Sequence, residues 1–272
     1  MTIDVEDWFH ILDARGAPDR TEWARLQPRL EANLHRLLDI LAHHGVLTTQ
    51  FWLGWAADRF PHLLQRARRE GHEIASHGHS HLLAYQVGRK KFAEDIRRGK
   101  AVLEDRLGEA IVGYRAPGFS FTPKTPWAHE ELARAGYRYS SSVFPATRGH
   151  GGYPGATTEP HVVETRLGPI TEFPMTTVDL LGRRACLFGG GYLRITPWPL
   201  LSLLTGHLNR QGRRVIFYLH PREIDPGQPI MWALPIQRLF KYYVNLRGTE
   251  RKLERLLSSR RFVPLARWLD GA

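Results

Sequence analysis

Gly71-His72-Glu73-Ile74-Ala75-Ser76-His77-Gly78-His79-Ser80-His81 carries four histidines within ten residues, around what reads as the end of a short buried strand. His77 and His81 stand four apart, so one turn of helix or a tight loop can aim both imidazoles at one point. Imidazole suits zinc, cobalt, nickel or iron, but two histidines leave a metal short of ligands. A metal site here needs the rest of the chain to supply a carboxylate, a base and an acid. A polar surface loop is the plain alternative, and the flanking chain has to decide.

Upstream, the leucines at 30, 34, 37, 38 and 41 mark an amphipathic helix ended near Gly45. Val46 to Trp55 is a β-branched and aromatic run, a strand, and Pro61 opens a second helix closed at Gly71. Downstream, Phe92, Ile96, Gly99, Leu103 and Leu107 keep helical spacing before Ile111 to Tyr114 returns to strand. Strand and helix in alternation mean parallel pairing with right-handed crossovers. The pattern continues with a helix at Trp127 to Ala135 and strands at Tyr137 to Val143 and Ile170 to Val178. A helix at Leu200 to Leu208 and a strand at Val215 to Leu219 complete it, the last strand running into His220-Pro221. Residues 145–160, rich in Gly, Pro and Thr, form a long loop of the kind that carries function. Gly189-Gly190-Gly191-Tyr192 lets the backbone approach a ligand or makes a turn, and it matches no phosphate-binding fingerprint. Beyond Asp225 come Pro226, Pro229 and Pro235, then a helix from about Ile236 to Leu257. The expected fold is therefore α/β: a single distorted barrel of about seven parallel strands over residues 1–225, with 226–272 as a C-terminal helical extension packed on it.

Composition narrows the class. Hydrophobic residues at 42% and charged residues at 24% describe an ordinary globular chain of 272 residues. A single cysteine, Cys186, excludes an intrachain disulfide. No apolar run approaches the ~20 residues that span a bilayer. Asp4, Glu6 and Asp7 fall where the apolar core of a signal peptide would lie, so a cytoplasmic location is expected, with the inner face of the membrane as a variant. The net charge of +11 favours an anionic partner, including peripheral association with a membrane surface. Its basic residues are scattered along helical segments, with no zinc-finger spacing or RNP signature, so dedicated nucleic-acid binding is not expected.

In such barrels the C-terminal ends of the strands share one mouth. Here those ends carry Asp4, Glu6 and Asp7, then His77 with His81, then Arg115, then His220. Three carboxylates in four residues repel one another in apolar surroundings, and a bound cation relieves that repulsion.

The chain resembles the family 4 carbohydrate esterases, the polysaccharide deacetylases that share the chitooligosaccharide-deacetylase homology domain. The resemblance rests on Thr2-Ile3-Asp4-Val5-Glu6-Asp7, Ser76-His77-Gly78-His79-Ser80-His81, Gly113-Tyr114-Arg115-Ala116-Pro117-Gly118 and Tyr218-Leu219-His220-Pro221, in that order. Asp225 to Pro229 and Tyr242 to Leu246 are similar to the tail of the subgroup encoded with exosortase-type exopolysaccharide loci. The resemblance implies a divalent metal, zinc first and cobalt, nickel or iron after it, held by His77, His81 and one acid. It implies Asp4 as catalytic base, His220 as general acid, Arg115 pairing with Asp4, and the Gly118 backbone N–H at the oxyanion. It further implies a glycan substrate touched by Pro117, Phe119, Tyr192 and Leu219. Adjacent aspartates are common in the family's first motif; here alternation along the strand favours Glu6 as the metal acid, with Asp7 as the alternative if the strand bulges. Ser140 stands where related chains often have aspartate, which leaves Glu172, Asp179 or Glu223 to tune His220. His79 is expected to face outward, His72 to be structural, Cys186 to be inert, and Trp52 and Trp55 to be core. Trp8 and Phe9 could stack on sugar rings. The expected activity is N-deacetylation of an N-acetylhexosamine-containing polysaccharide or oligosaccharide in exopolysaccharide production. The alternatives are an amidase of the same barrel superfamily acting on a small non-sugar substrate, or a non-catalytic carbohydrate binder.

Overall fold

Seven parallel strands curl side by side into an incomplete barrel, and their order places the first strand next to the last. The structure is a computed structural model describing residues 1–12, 14–148 and 151–269; Asp13, residues 149–150 of the long loop and residues 270–272 of the expected extension lie outside the described residues. The first half of the chain runs β1 Thr2–Val5, α1 Leu30–His43, β2 Thr49–Trp52, α2 Gly54–Arg59, α3 Pro61–Arg69, β3 Glu73–Ser76, α4 Ala84–Leu107, β4 Gly113–Tyr114 and α5 Ala128–Arg134. The second half runs β5 Tyr139–Ser140, β6 His161–Val163, β7 Ile170–Glu172, β8 Val178–Leu180, β9 Arg183–Ala185, α6 Gly190–Ile195, α7 Trp198–Arg210 and β10 Tyr218–Leu219. Helices α8 Ile236–Tyr243, α9 Leu246–Ser259 and α10 Leu265–Leu269 follow.

The sheet order is β10-β1-β2-β3-β4-β5-β7-β6. Every neighbouring pair is parallel except β6–β7, so β6 adds an antiparallel edge strand, and β8 with β9 makes a separate hairpin. Register aligns Val5 with Trp52, Trp52 with Ser76, Ser76 with Tyr114, Tyr114 with Ser140 and Ser140 with Glu172. The residues that leave these strands therefore emerge at one rim. Beneath it, Ile3 and Val5 of β1 pack with Leu34, Leu37, Leu38 and Leu41 of α1 in the main core. The leucine spacing of 3.6 residues puts one apolar stripe of α1 on the sheet and leaves its other side wet.

The strands are shorter than their apolar runs. The run from Val46 to Trp55 pairs only over Thr49–Trp52, because Gly54 already opens α2 and its N–H donates to the Gly78 carbonyl (2.8 Å). The single helix expected from Ile236 to Leu257 is two helices. Asn245 adopts a left-handed backbone (φ 51°) that breaks the ladder and turns α9 against α6. There Lys252 Nζ donates to the carbonyls of Leu193, Arg194 and Thr196 (2.9, 2.7 and 2.8 Å), fastening α9 to the end of α6. No helix among the described residues is long and apolar enough to cross a membrane.

Candidate active site

The histidine stretch is a tight loop pinned from three sides. His77 N–H donates to the Trp52 carbonyl (2.7 Å), and the Asp95 carboxylate of α4 accepts the N–H groups of His79 (3.0 Å) and Ser80 (2.9 Å). Gly78 sits at φ 76°, and a Cβ there would meet Asp95 Oδ2 at 2.5 Å, so only glycine lets the loop close on its anchor. His81 itself is left-handed (φ 55°), a costly backbone for a residue with a Cβ and one that concentrates at functional sites.

This loop aims both imidazoles at Glu6. His77 Nε2 lies 3.0 Å and His81 Nε2 2.9 Å from Glu6 Oε1, and all three residues are buried. His77 Nδ1–H donates to the Arg115 carbonyl (2.7 Å). In the neutral ring this leaves Nε2 as a lone pair facing a carboxylate oxygen, an arrangement that calls for a cation or a proton between them. Burial alone would raise the Glu6 carboxyl, but the charges of His81 and His220 and the contacts of His77 and His81 outweigh it and hold Glu6 well below the usual carboxylate range. The three ligand atoms fall within 4.8 Å of one another. A tetrahedral zinc with bonds near 2.0–2.1 Å would space its ligand atoms about 3.3 Å apart, so this nitrogen–oxygen set fits a divalent metal of the zinc type.

Beside the triad stand two more supported groups. Asp4 Oδ1 accepts from Arg115 Nη1 (2.7 Å), and Arg115 also donates to Thr2 Oγ1, the Ser141 carbonyl and Ser141 Oγ, with its guanidinium 4.1 Å over the Phe51 ring. Arg115 is fully buried and cannot move without undoing that network. His220, at the end of β10, turns Nε2 toward Asp4 Oδ2 (3.9 Å) and Glu6 Oε1 (3.8 Å), while Nδ1–H donates to Glu223 Oε1 (2.7 Å). Burial would lower the His220 imidazolium, but the Glu6 charge and the Glu223 hydrogen bond prevail and raise it above the usual histidine range. Of the three acids considered as its partner, Glu223 is the one in contact. Glu172 instead accepts the N–H groups of Ser142 and Val143 beside His129, and Asp179 is exposed on the β8–β9 hairpin.

Several residues expected at the site lie elsewhere. Asp7 turns away from the triad: its carboxylate accepts the N–H groups of Trp8, Arg29 and Leu30 and so secures the start of α1, because the chain reverses after β1. Leu219 points into the main core, as alternation on β10 requires when His220 faces the mouth. Gly118 and Phe119 line the cleft, whereas Pro117 is buried without lining it. Tyr192 lies under the Lys241 ammonium (4.7 Å) rather than on the cleft wall. His79 is buried against Gly54 instead of facing outward, and Trp8 and Phe9 form an aromatic cluster with Trp23 rather than a sugar platform.

Other cleft residues gave no signal in the sequence. His10 lines the cleft 5.8 Å ring to ring from His81, its Nδ1 accepting the Asp7 N–H (3.0 Å). Arg148, Arg194, Arg222, Arg238 and Lys241 also line it, each embedded in a stretch that reads as an ordinary basic surface.

Comparison with known proteins adds the following. Residues 26–140 match the family model described as polysaccharide deacetylase, and residues 141–270 match one described as a domain of unknown function, DUF3473. A peptidoglycan-N-acetylglucosamine deacetylase of Bacillus cereus is 34% identical over 83 residues, 30% of this chain and 38% of that protein. A peptidoglycan deacetylase of Helicobacter pylori is 26% identical over 113 residues, 42% of this chain and 38% of its own length. The matches thus span little more than a third of those relatives. Among solved structures, a Mycobacterium smegmatis protein provisionally named a polysaccharide deacetylase is 19% identical with TM-score 0.66, covering 99% of this chain and 87% of its own. A PuuE allantoinase is 17% identical with TM-score 0.59, covering 98% and 86%. At these identities the structures establish the fold. The first half of this chain is therefore similar to the polysaccharide deacetylases in sequence, and nearly its whole length shares the fold of those solved structures.

Proposed function

We propose that the chain is a metal-dependent hydrolase that removes N-acetyl groups from an N-acetylhexosamine-containing glycan, with zinc as the metal and exopolysaccharide production as its setting. The observation that carries this reading is the convergence of the Glu6–His77–His81 triad, the Arg115-held Asp4 and the Glu223-held His220 on one cleft. Glu6, His77 and His81 would hold a divalent metal, which would supply Lewis-acid polarisation of the acetamide carbonyl and lower the pKa of a water. Asp4 is the base that takes the proton of the attacking water, and the hydrogen bond from Arg115 holds its carboxylate in place. Gly118, at φ 63°, lines the cleft, and its N–H is the donor this reading assigns to the developing oxyanion. His220 hands its proton to the departing amine, and the acetate and free amine then leave. Residues 1–225 are read as the catalytic barrel, with 226–272 as an extension that finishes the cleft wall through Arg238, Lys241 and Tyr242. The net charge of +11 supports docking on an anionic membrane surface, which flotation with anionic against neutral vesicles would test.

The test is acetate release from N-acetylglucosamine oligomers by zinc- or cobalt-loaded protein, beside chelated protein and Asp4→Asn. Acetate that requires both metal and Asp4 supports the reading, and acetate from chelated protein or from Asp4→Asn at the native rate refutes it. Hydrolysis of a small non-sugar amide is the second reading, favoured by a cleft of only about 70 Å³. Turnover of simple acetamides with none of the oligomers would establish it instead.

A further inference from the structure

Five cations face the cleft that holds the triad: Arg148, Arg194, Arg222, Arg238 and Lys241. The acids on the same walls are Asp4, Glu6 and Glu223. Asp4 takes Arg115, Glu6 takes two imidazoles, and Glu223 takes His220 through Oε1 and faces Arg194 through Oε2. Among the described residues no carboxylate lies within ion-pair distance of Arg148, Arg222 or Lys241.

The donors themselves are short of acceptors. Arg194 is 1% exposed; its Nη2 donates to the Lys241 carbonyl, but neither its Nε nor its Nη1 has a hydrogen-bond partner, and the equally unpartnered Glu223 Oε2 stands 3.8 Å from Nη1, too far for a hydrogen bond. Arg222, 8% exposed, lies 4.3 Å over the Tyr242 ring with Nη1 unpartnered. Arg148 donates from Nη1 to the Gly118 carbonyl (3.0 Å) and leaves Nε unpartnered. Buried donors ordinarily find partners, and like charges in one space oppose each other. Lys241 registers that crowding: burial first, then the charges of Arg148 and Arg238, bring its ammonium down to about 8.

An oxyanion in the cleft would give these N–H groups their acceptors and remove the mutual repulsion. We infer that Arg148, Arg194, Arg222 and Lys241 form an anion subsite beside the reaction centre, and that the glycan acted on carries a carboxylate or phosphate next to its N-acetylated sugar. The forked N–H pairs of arginine match both oxyanions, so a uronate and a glycosyl phosphate are the two sources of this chemistry. The substrate half of the inference rests on the deacetylase reading; the anion subsite itself does not.

Binding and turnover test the two halves separately. Calorimetry on the metal-loaded full chain compares glucuronate, glucose 1-phosphate and methyl glucoside. The subsite requires that at least one anion bind roughly tenfold or more tighter than the neutral sugar, and that the gain shrink in Arg222→Gln and Lys241→Met and with added salt. Whichever anion gains more identifies the source. Equal binding of all three by the native protein overturns the subsite whether or not the variants fold. Acetate release is then compared among a neutral N-acetylglucosamine oligomer, one flanked by glucuronate and one ending in a glycosyl phosphate. A kcat/KM ratio favouring an anionic oligomer, and falling about tenfold in Lys241→Met, supports the substrate assignment. Acetate from all three at one rate overturns that assignment and keeps the deacetylase. Anion binding without acetate from any oligomer keeps the subsite and refutes the deacetylase reading along with the assignment that depends on it.

Discussion

Glu223→Gln removes one negative charge 2.7 Å from His220 Nδ1 while leaving the shape of the side chain almost unchanged. In the native protein the His220 imidazolium is raised: burial pulls it down, and the Glu6 charge and the Glu223 hydrogen bond more than restore it. A hydrogen bond to a charged partner is worth ~1.5–3 kcal/mol and one between neutral groups ~0.5–1.5. The substitution therefore withdraws about 1–1.5 kcal/mol from the protonated form, which at 1.36 kcal/mol per unit lowers the imidazolium by about one unit. In the proposed mechanism His220 has to be protonated to release the amine, so this shift acts on the alkaline side. Activity that the native protein keeps to higher pH disappears about one pH unit earlier in the variant. Above both limbs the rate falls about tenfold, and well below them the two proteins converge apart from any loss of orientation. Initial rates of acetate release by zinc-loaded protein from pH 5 to pH 10 at saturating substrate measure this directly. Superimposable alkaline limbs, or a change confined to KM, would refute the assignment of Glu223 as the group that holds the proton on His220.

Other residues make separate demands. Glu6→Gln should weaken zinc binding by at least about tenfold in a competition titration with a chelating dye, since a ligand charge is lost. Asp7→Asn should leave that titration unchanged while lowering stability by about 1 kcal/mol, because it loosens the start of α1; the reverse pattern would make Asp7 the ligand. Cys186 is buried with its thiol pushed up to about 11, so it should resist a thiol-specific disulfide reagent at pH 8 until the protein unfolds, and prompt reaction would show an open site. Burial would raise Glu172, but the hydrogen bond and charge of His129, with the Ser140 and Val143 contacts, hold it below the usual value of 4.5. A depressed carboxyl adds stability above its unfolded value and loses it as pH falls through the folded one. Glu172→Gln should therefore cost about 2–3 kcal/mol near neutrality and flatten the loss of stability below pH 4.5, read from urea midpoints against pH. Equal slopes for both proteins would contradict this.

The parts of the fold that could be read in advance are those where one physical signal acts alone. Alternating strand and helix patterns imply parallel neighbours, and seven strands are parallel. Alternation along β1 puts Asp4 and Glu6 on one side, and both face the cleft. The strand β6, only His161–Val163, is too short for any periodicity, and the break at Asn245 is hidden because Leu239, Leu246 and Leu253 keep one apolar spacing across it. His10, Arg194 and Arg222 escape for a different reason. A lone histidine after Phe9 and single arginines near glycine or proline look like solvated surface in one dimension. They become wall only when α6, the turn after β10 and α8 close around the same space. Tyr192 and Leu219 fail in the converse way, since proximity in sequence to a site residue does not fix which side of the backbone a neighbour takes.

Lys252 reaching back to three carbonyls at the end of α6 has a consequence for how such a protein can change over time. The metal-type triad Glu6, His77 and His81, with Asp4 and the Arg115 that holds it, lies ahead of residue 116, while the five cations of the cleft wall lie after residue 147. The two recognised sequence families meet between residues 140 and 141, in the gap between these sets. The later segment joins the barrel through β7 on β5 and β10 on β1, and the Lys252 amine of α9 adds a flexible fastening to α6, so substitutions on α6 and α8 can reshape the cleft wall without altering the acids and histidines ahead of residue 116. The proposed metal ligands and base are in this way inherited on the first length of the chain, while the second carries the cations of the cleft wall together with His220 and Glu223.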